Sequence, residues 1–234
     1  MPIRNVQFFN EEFYHIVKRG VEKRTIFLDD EDRYRFINSL IVFNDSNSAP
    51  WNMRGFWNQR DPASLMKTGY IPENPLIKIH AFALMDNHFH LLLEQVKENG
   101  VSNFMGKLGG YSYYFNKKYK RVGPLFQGRF KAVLIKTEEQ LKNAFVYVNT
   151  NPVGLINPRW KEEGIKDFKN SIKFLEEYYW SSCPGYLGKD DNYPFVEKDF
   201  FLKLFGSIND CSKEIESWLT YKVEVNKYRG IALE

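Results

Sequence analysis

The chain has 234 residues, 43% hydrophobic and 26% charged, an ordinary globular composition with enough chain for one substantial core. No apolar run approaches the roughly 20 residues that a membrane helix needs, and no charged-then-apolar leader opens the sequence. Cys183 and Cys211 have neither metal spacing nor a crowd of partner cysteines, so the expectation is a soluble protein of a reduced cytoplasmic compartment with no membrane partner.

In chain order, residues 13–17 read as a short strand and residues 30–43 as a helix with apolar residues near helical spacing. Residues 44–75 follow as a long loop with scattered Pro, Gly, Asn and Ser and two tryptophans, Trp51 and Trp57. Two apolar runs, 76–85 and 88–96, flank Asp86-Asn87 and give a hairpin signal. Residues 102–119 look helical, Gly123-Pro124 breaks the chain, and 129–135 reads as another strand. Thr137-x-x-Gln140 is a capping box that opens a helix closed by Pro152. From about residue 166 onward the chain looks helical around a loop at 184–194. Strands and helices mix without a regular βαβα alternation, which predicts an α+β fold with an antiparallel sheet packed by helices on one face. Residues 1–160 form the sheet-containing unit, and 161–234 a helical C-terminal extension of the same domain.

The net charge of +4 is unevenly placed. Residues 100–136 contain no acidic side chain but eight basic ones: Lys107, Lys117, Lys118, Lys120, Arg121, Arg129, Lys131 and Lys136. The rest of the chain is therefore net acidic. Tyr111, Tyr113, Tyr114, Phe115, Tyr119, Phe126 and Phe130 stand among these cations. Cations neutralise phosphates and rings stack on unpaired bases, so the mixture suits single-stranded nucleic acid. A solvated helix face above core aromatics is the plainer alternative.

Three of the four histidines fall within residues 80–90. His88 and His90, two apart on a predicted strand, leave the same sheet face, with Phe89 on the other. Two imidazoles on one face can share a cation that one would hold weakly. A two-residue turn at Asp86-Asn87 pairs Met85 with His88 and Ala83 with His90, which sends His80 to the opposite face. A three-residue turn instead puts His80 diagonal to His90 at about 7–8 Å. Either way it is a poor third ligand. On the helix after Thr137, Leu141, Ala144, Phe145 and Val148 form an apolar stripe, and Gln140, Asn143, Tyr147, Thr150 and Asn151 occupy the other side. Tyr147 and Asn151 are i and i+4, close enough to act on one ligand. A rim tyrosine with its hydroxyl in water is the usual alternative. Asn151 precedes a proline, which biases it away from helical dihedrals and its side chain off the ideal position.

With these segments in order, the chain resembles the HUH single-tyrosine transposases, and among them the REP-associated tyrosine transposases. The resemblance rests on Met85-Asp86-Asn87-His88-Phe89-His90-Leu91-Leu92-Leu93 and on Tyr114-Phe115-Asn116. It continues with Gly123-Pro124-Leu125-Phe126-Gln127-Gly128-Arg129-Phe130-Lys131, Tyr147-Val148-Asn149-Thr150-Asn151-Pro152-Val153 and Trp180-Ser181-Ser182. Asp86 departs from the proline common at that place, a change a turn tolerates. The resemblance covers roughly residues 10–210. It implies an RRM-like (ferredoxin-like) antiparallel sheet, Tyr147 as nucleophile, His88 and His90 as metal ligands and Asn151 as an amide-bearing third ligand. The implied cofactor is Mg²⁺ or Mn²⁺, since two imidazoles and one amide leave positions open for phosphate oxygens. The implied partner is single-stranded DNA, hairpin or palindromic, and the protein a monomer or homodimer. The implied reaction is strand cleavage and transfer through a 5′-phosphotyrosine link. Lys117, Lys118, Lys120 and Arg121 are expected to neutralise phosphates, and Gln127, Arg129 and Lys131 to position the DNA backbone.

Two other readings compete. An RRM-like module could bind single strands without chemistry, but such modules carry stacking aromatics on central strands, where this chain has His-Phe-His-Leu-Leu-Leu. A metal-dependent phosphodiesterase could use water, with Tyr147 structural.

Overall fold

The structure, a computed structural model, describes residues 6–47, 72–165, 167–189 and 193–220. Most of the long loop predicted at 44–75, with Trp51 and Trp57, lies outside the described residues.

Alternation of side chains along β1 (Phe13–Arg19), β2 (Ile77–Met85), β3 (His88–Gln95) and β4 (Lys131–Ile135) lets these segments pair into one four-stranded sheet of order β2-β3-β1-β4. Every neighbouring pair is antiparallel. Helix α1 (Asp30–Val42) links β1 to β2, while α2 (Gly100–Leu108) and α3 (Tyr111–Lys118) link β3 to β4. The result is the α+β, ferredoxin-like arrangement expected. The helix predicted at 102–119 is two helices. Gly109 and Gly110 stand at the join, where an added Cβ would lie 3.0 Å from the carbonyl oxygens of Gly106 and Lys107 respectively. The loop after α1 is pinned at its two ends: Asn44 Oδ1 accepts from the backbone of Leu76 and Ile77, and Asp45 Oδ2 from Glu73 and Asn74.

One sheet face carries Tyr14, Ile16, Phe89 and Leu91, all buried beneath α1 and α3. Phe36 of α1 meets Phe89 at 4.6 Å between ring centroids, and Tyr111 of α3 meets Phe36 at 5.2 Å. The second face carries His15, Val17, His88, His90 and Leu92. It is not open, as an arrangement with helices on one face would leave it. Helix α4 (Glu138–Thr150) lies across it, and Phe145 of α4 stacks in turn on Phe201 at 4.3 Å and meets Tyr186 edge-on at 4.6 Å between centroids. Those two rings belong to the C-terminal helices: α5 (Trp160–Glu163), α6 (Phe168–Glu177), α7 (Cys183–Tyr186), α8 (Lys198–Phe205) and α9 (Ile208–Thr220). Apolar residues on both sides of α4 drive this second layer, and residues 144–149 are buried all round. The exposed edge of β2 is covered as well: Leu84 N donates to Trp180 O at 2.9 Å and Ser182 N to Phe82 O at 3.0 Å.

The hairpin turn uses two residues, so Met85 pairs with His88 and Ala83 with His90. His80 nevertheless shares the histidine face, because the register shifts between Ile79 and Ala81. A bulge inserts one residue and reverses the alternation beyond it. His80 Nε2 sits 3.0 Å from Glu94 Oε2, four positions along β3 from His90, about 13 Å away at strand rise. It is no part of the candidate metal site.

Candidate active site

On β3 the period of two places His88 and His90 on the second face, with ring centroids 4.9 Å apart. On β1, Arg19 pairs laterally with His88, Val17 with His90 and His15 with Leu92, so His15 lies diagonal to His90. His15 Nε2 and His90 Nδ1 are 3.0 Å apart, and His90 Nε2 is 2.7 Å from Asn151 Nδ2. An amide nitrogen can only donate, so His90 Nε2 accepts and Nδ1 carries the proton, donated to His15. His88 is oriented in the same way, Nδ1 lying 2.6 Å from Asn87 Oδ1, an acceptor. In both rings Nε2 is then the nitrogen with the lone pair. Burial holds the His90 pKa well below the ordinary histidine value, helped by the charges of His88, His15, Lys161 and Arg19. A neutral imidazole is the form that binds metal.

The tyrosine comes from α4. Thr137 Oγ1 accepts from Gln140 N at 3.2 Å, and Gln140 Oε1 accepts from Lys136 N at 2.9 Å, one residue earlier than a standard capping box. Helical periodicity from that start brings Tyr147 over the sheet. Its ring meets His90 and His15 edge-on, each at 5.6 Å between centroids. Tyr147 is 4% exposed, so it is not a rim residue with its hydroxyl in water. The hydroxyl receives a hydrogen bond from Lys161 Nζ at 3.0 Å. Asn151 keeps helical dihedrals (φ −54°, ψ −36°) despite the following proline, because the chain runs on as a 3-10 turn through Leu155. The pre-proline bias yields to burial of this turn, in which Asn151, Pro152 and Val153 are all buried. The amide therefore stands one helical turn past Tyr147, against His90.

Asn149 anchors α4 to the sheet. Ser182 Oγ donates to Asn149 Oδ1 at 2.8 Å and accepts from Phe82 N of β2 at 3.0 Å. This gives Trp180-Ser181-Ser182 a physical role: one hydroxyl ties the tyrosine helix to β2.

The basic residues divide into two groups. Gln127, Arg129 and Lys131 line a cleft of about 380 Å³ together with Val17, Lys18, Arg19 and Lys23. Lys131 pairs with Val17, and Val17 with His90, so this cleft adjoins the histidines on the same face. Lys117, Lys118, Lys120 and Arg121 lie instead at the end of α3, over the opposite face. Lys118 Nζ makes ion pairs of 2.8, 3.1 and 2.9 Å with Asp29, Glu31 and Asp32 at the start of α1. Burial would depress its pKa, but these carboxylates outweigh that and raise it far above the ordinary lysine value. Arg121 donates to Asn116 Oδ1 at 2.8 Å and lies over the Phe115 ring. The expected phosphate-neutralising cluster is thus not brought to the histidines, and the charge of Lys118 is already matched. Tyr111 and Phe115 are core residues, while Tyr113 is 74% exposed.

Sequence reasoning passed over His15, Arg19 and Lys161 and read Ser182 only as a marker. Nothing in their local patterns signals them, since each reaches the site through pairing or packing with a distant segment. Among the described residues, no group of three or more His, Cys, Asp or Glu could hold a metal ion. A cation here would depend on the two imidazoles and the Asn151 amide oxygen, with its other positions filled from outside these residues. With Nδ1 of each ring protonated, both Nε2 atoms carry the lone pair, that of His90 accepting from the Asn151 amide here. Once that amide turns its oxygen inward, the donor set fits a divalent ion that keeps open positions.

Residues 67–151 match the family described as transposase IS200 like. A solved structure of a REP-associated tyrosine transposase bound to a REP hairpin is similar at 12% sequence identity, over 83% of this chain and 90% of that chain, with a TM-score of 0.48. Comparison with curated proteins gave no match. The matched residues 67–151, which carry His88, His90, Tyr147 and Asn151, are thus similar to the IS200-like transposases.

Proposed function

We propose that this chain is a DNA transposase that cleaves and rejoins single-stranded DNA through a covalent link to Tyr147, on substrates folded as hairpins or palindromes. The observation that carries this reading is the placement of one helix: it sets the Tyr147 ring against His90 and, one turn on, the Asn151 amide 2.7 Å from His90 Nε2. His88, His90 and Asn151 would hold Mg²⁺ or Mn²⁺. When bound, such an ion withdraws charge from the scissile phosphate and orients it for in-line attack.

The chain's own residues supply the remainder. Tyr147 Oη attacks phosphorus, forming the 5′-phosphotyrosine bond as the bond to the 3′-oxygen breaks. The phenol proton lost is balanced by the proton that the 3′-oxygen gains, and the bond energy is kept for rejoining. His15 holds the His90 ring by its Nδ1, and burial keeps that ring neutral. Arg19, Arg129 and Lys131, in the adjoining cleft, attract the flanking phosphates.

A stacking module of the RRM kind is disfavoured by the covering of the histidine face, where α4 and the C-terminal helices lie in place of an open sheet. The test is incubation with hairpin-containing single-stranded DNA and Mn²⁺, followed by denaturing electrophoresis. Wild type should give a protein–DNA adduct. Tyr147→Phe should bind the DNA with similar affinity and form none. Cleavage without an adduct would indicate water as nucleophile.

A further inference from the structure

The chain reverses after the 3-10 turn that follows Asn151. Asn157 O receives Trp160 N at 3.1 Å, and the buried Trp160 ring anchors α5 beside that turn. This fold-back sets Lys161, fourteen positions after the tyrosine, over the Tyr147 ring. Its Nζ is 3.0 Å from the phenol oxygen and 4.5 Å from the ring centroid. The ammonium therefore meets the atom that would react, in a place where the ring is almost fully removed from water. The same ammonium is felt at His90, whose charged form it disfavours.

Resting on the reading of Tyr147 as nucleophile, we propose that Lys161 is a further catalytic residue, whose ammonium holds the phenol oxygen and stabilises the negative charge on it in both half-reactions. In cleavage that oxygen is the nucleophile, and in rejoining it is the leaving group. In each transition state it bears partial negative charge at the same place, so one fixed cation serves both. Cleavage moves one proton from the phenol to the 3′-oxygen and rejoining returns it. Lys161 therefore enters and leaves each step as the ammonium, with no net proton transferred to it. A donor set in place beforehand needs no reorganisation as charge develops, and removal of one such donor typically lowers the rate about 10²–10³-fold. Lys161 lies outside the segment that matches the IS200-like family, in the C-terminal extension. The extension thus supplies a group at the reacting atom as well as a cover for α4.

The test uses the full chain with hairpin single-stranded DNA and Mn²⁺ and compares wild type, Lys161→Met, Lys161→Gln, Lys161→Arg and Tyr147→Phe. Single-turnover cleavage is measured at saturating DNA. Rejoining is measured from isolated adduct supplied with a 3′-hydroxyl strand, and affinity on uncleaved DNA. Lys161→Met and Lys161→Gln should slow cleavage and rejoining together, by about 10²–10³-fold, while affinity changes less than about threefold, and Arg should restore part of both rates. Either neutral variant suffices if the other fails to fold. Rates within about threefold of wild type, alongside an adduct that Tyr147→Phe abolishes, would overturn the role of Lys161 and leave the nucleophile intact. A loss confined to DNA affinity would make Lys161 a phosphate-binding group and overturn it also. An adduct that persists in Tyr147→Phe, or none in wild type, overturns both readings together.

Discussion

His15 Nε2 stands 3.0 Å from His90 Nδ1, and the two rings stack with centroids 5.2 Å apart in a buried layer beneath Tyr147. The Asn151 amide sets which nitrogen of His90 carries a proton, and the hydrogen bond to His15 holds that proton and the plane of the ring. Partners of this kind raise metal affinity without touching the metal, and their loss commonly weakens binding 10- to 100-fold. His15→Phe keeps a ring in the stack but removes the acceptor. Calorimetric titration with Mn²⁺ in the absence of DNA should show the dissociation constant rising by about 10- to 100-fold. Unchanged affinity would mean that His15 only fills space.

The charged residues at the two sheet faces should separate in a salt titration. Arg129→Ala and Lys131→Ala should each weaken single-stranded DNA binding and reduce the slope of log K against log salt by about 0.7 for each phosphate left without its cation. Lys118→Ala should leave the slope almost unchanged, since its ammonium already faces Asp29, Glu31 and Asp32. It should instead destabilise the fold by about 1–3 kcal/mol, between the values for exposed and buried pairs, because the Asp32 side chain is fully buried. Urea unfolding and fluorescence anisotropy across salt concentrations measure the two effects separately.

Ser182→Ala should lower stability by about 1–3 kcal/mol, as it leaves the Asn149 amide oxygen and the Phe82 N–H without their shared hydroxyl. Because Asn149 lies between Tyr147 and Asn151 on α4, the loosened helix should also slow adduct formation. The two are compared by urea denaturation and by the rate of the covalent product. Full stability in the variant would show that the hydroxyl is dispensable.

Glu94 gives the acid limb of stability a named contributor. Burial would push its carboxyl pKa up, but hydrogen bonds from His80 and Lys78 outweigh burial and hold it below the ordinary value of 4.5. A depressed carboxylate contributes stability that is fully present above that ordinary value and is lost as pH falls through the folded one. Glu94→Gln should therefore lie below wild type by about 1–3 kcal/mol near neutral pH. The gap should narrow as pH drops below about 4.5. Denaturant midpoints between pH 3 and about 7 would reveal this, and a gap independent of pH would remove the carboxylate from the account.

Much of the site is written in local pattern. The alternation of β3 puts His88 and His90 on one face whatever lies beside it, because successive residues of a pleated strand point to opposite sides. The Thr137–Gln140 cap and the helical period after it set Tyr147 and Asn151 on one side of α4 by the same kind of local geometry. Other features follow only from the assembled fold. His15 neighbours His90 because β1, not β2 alone, flanks β3. His80 changes face through a bulge that no residue in its run announces. Asn151 stays helical before proline because the turn around it is buried. Lys118 looks like a free cation in a basic stretch, yet its carboxylates lie 86 to 89 positions away along the chain. Lys161 reaches the tyrosine only because α5 folds back on Trp160. Side-chain direction along one element depends on dihedrals that neighbouring residues set, so a sequence read by itself determines it. Which strands pair, where a charge finds its counter-charge and which polar groups are sealed from water depend on distant segments packing together, and for this protein only the tertiary structure decided them.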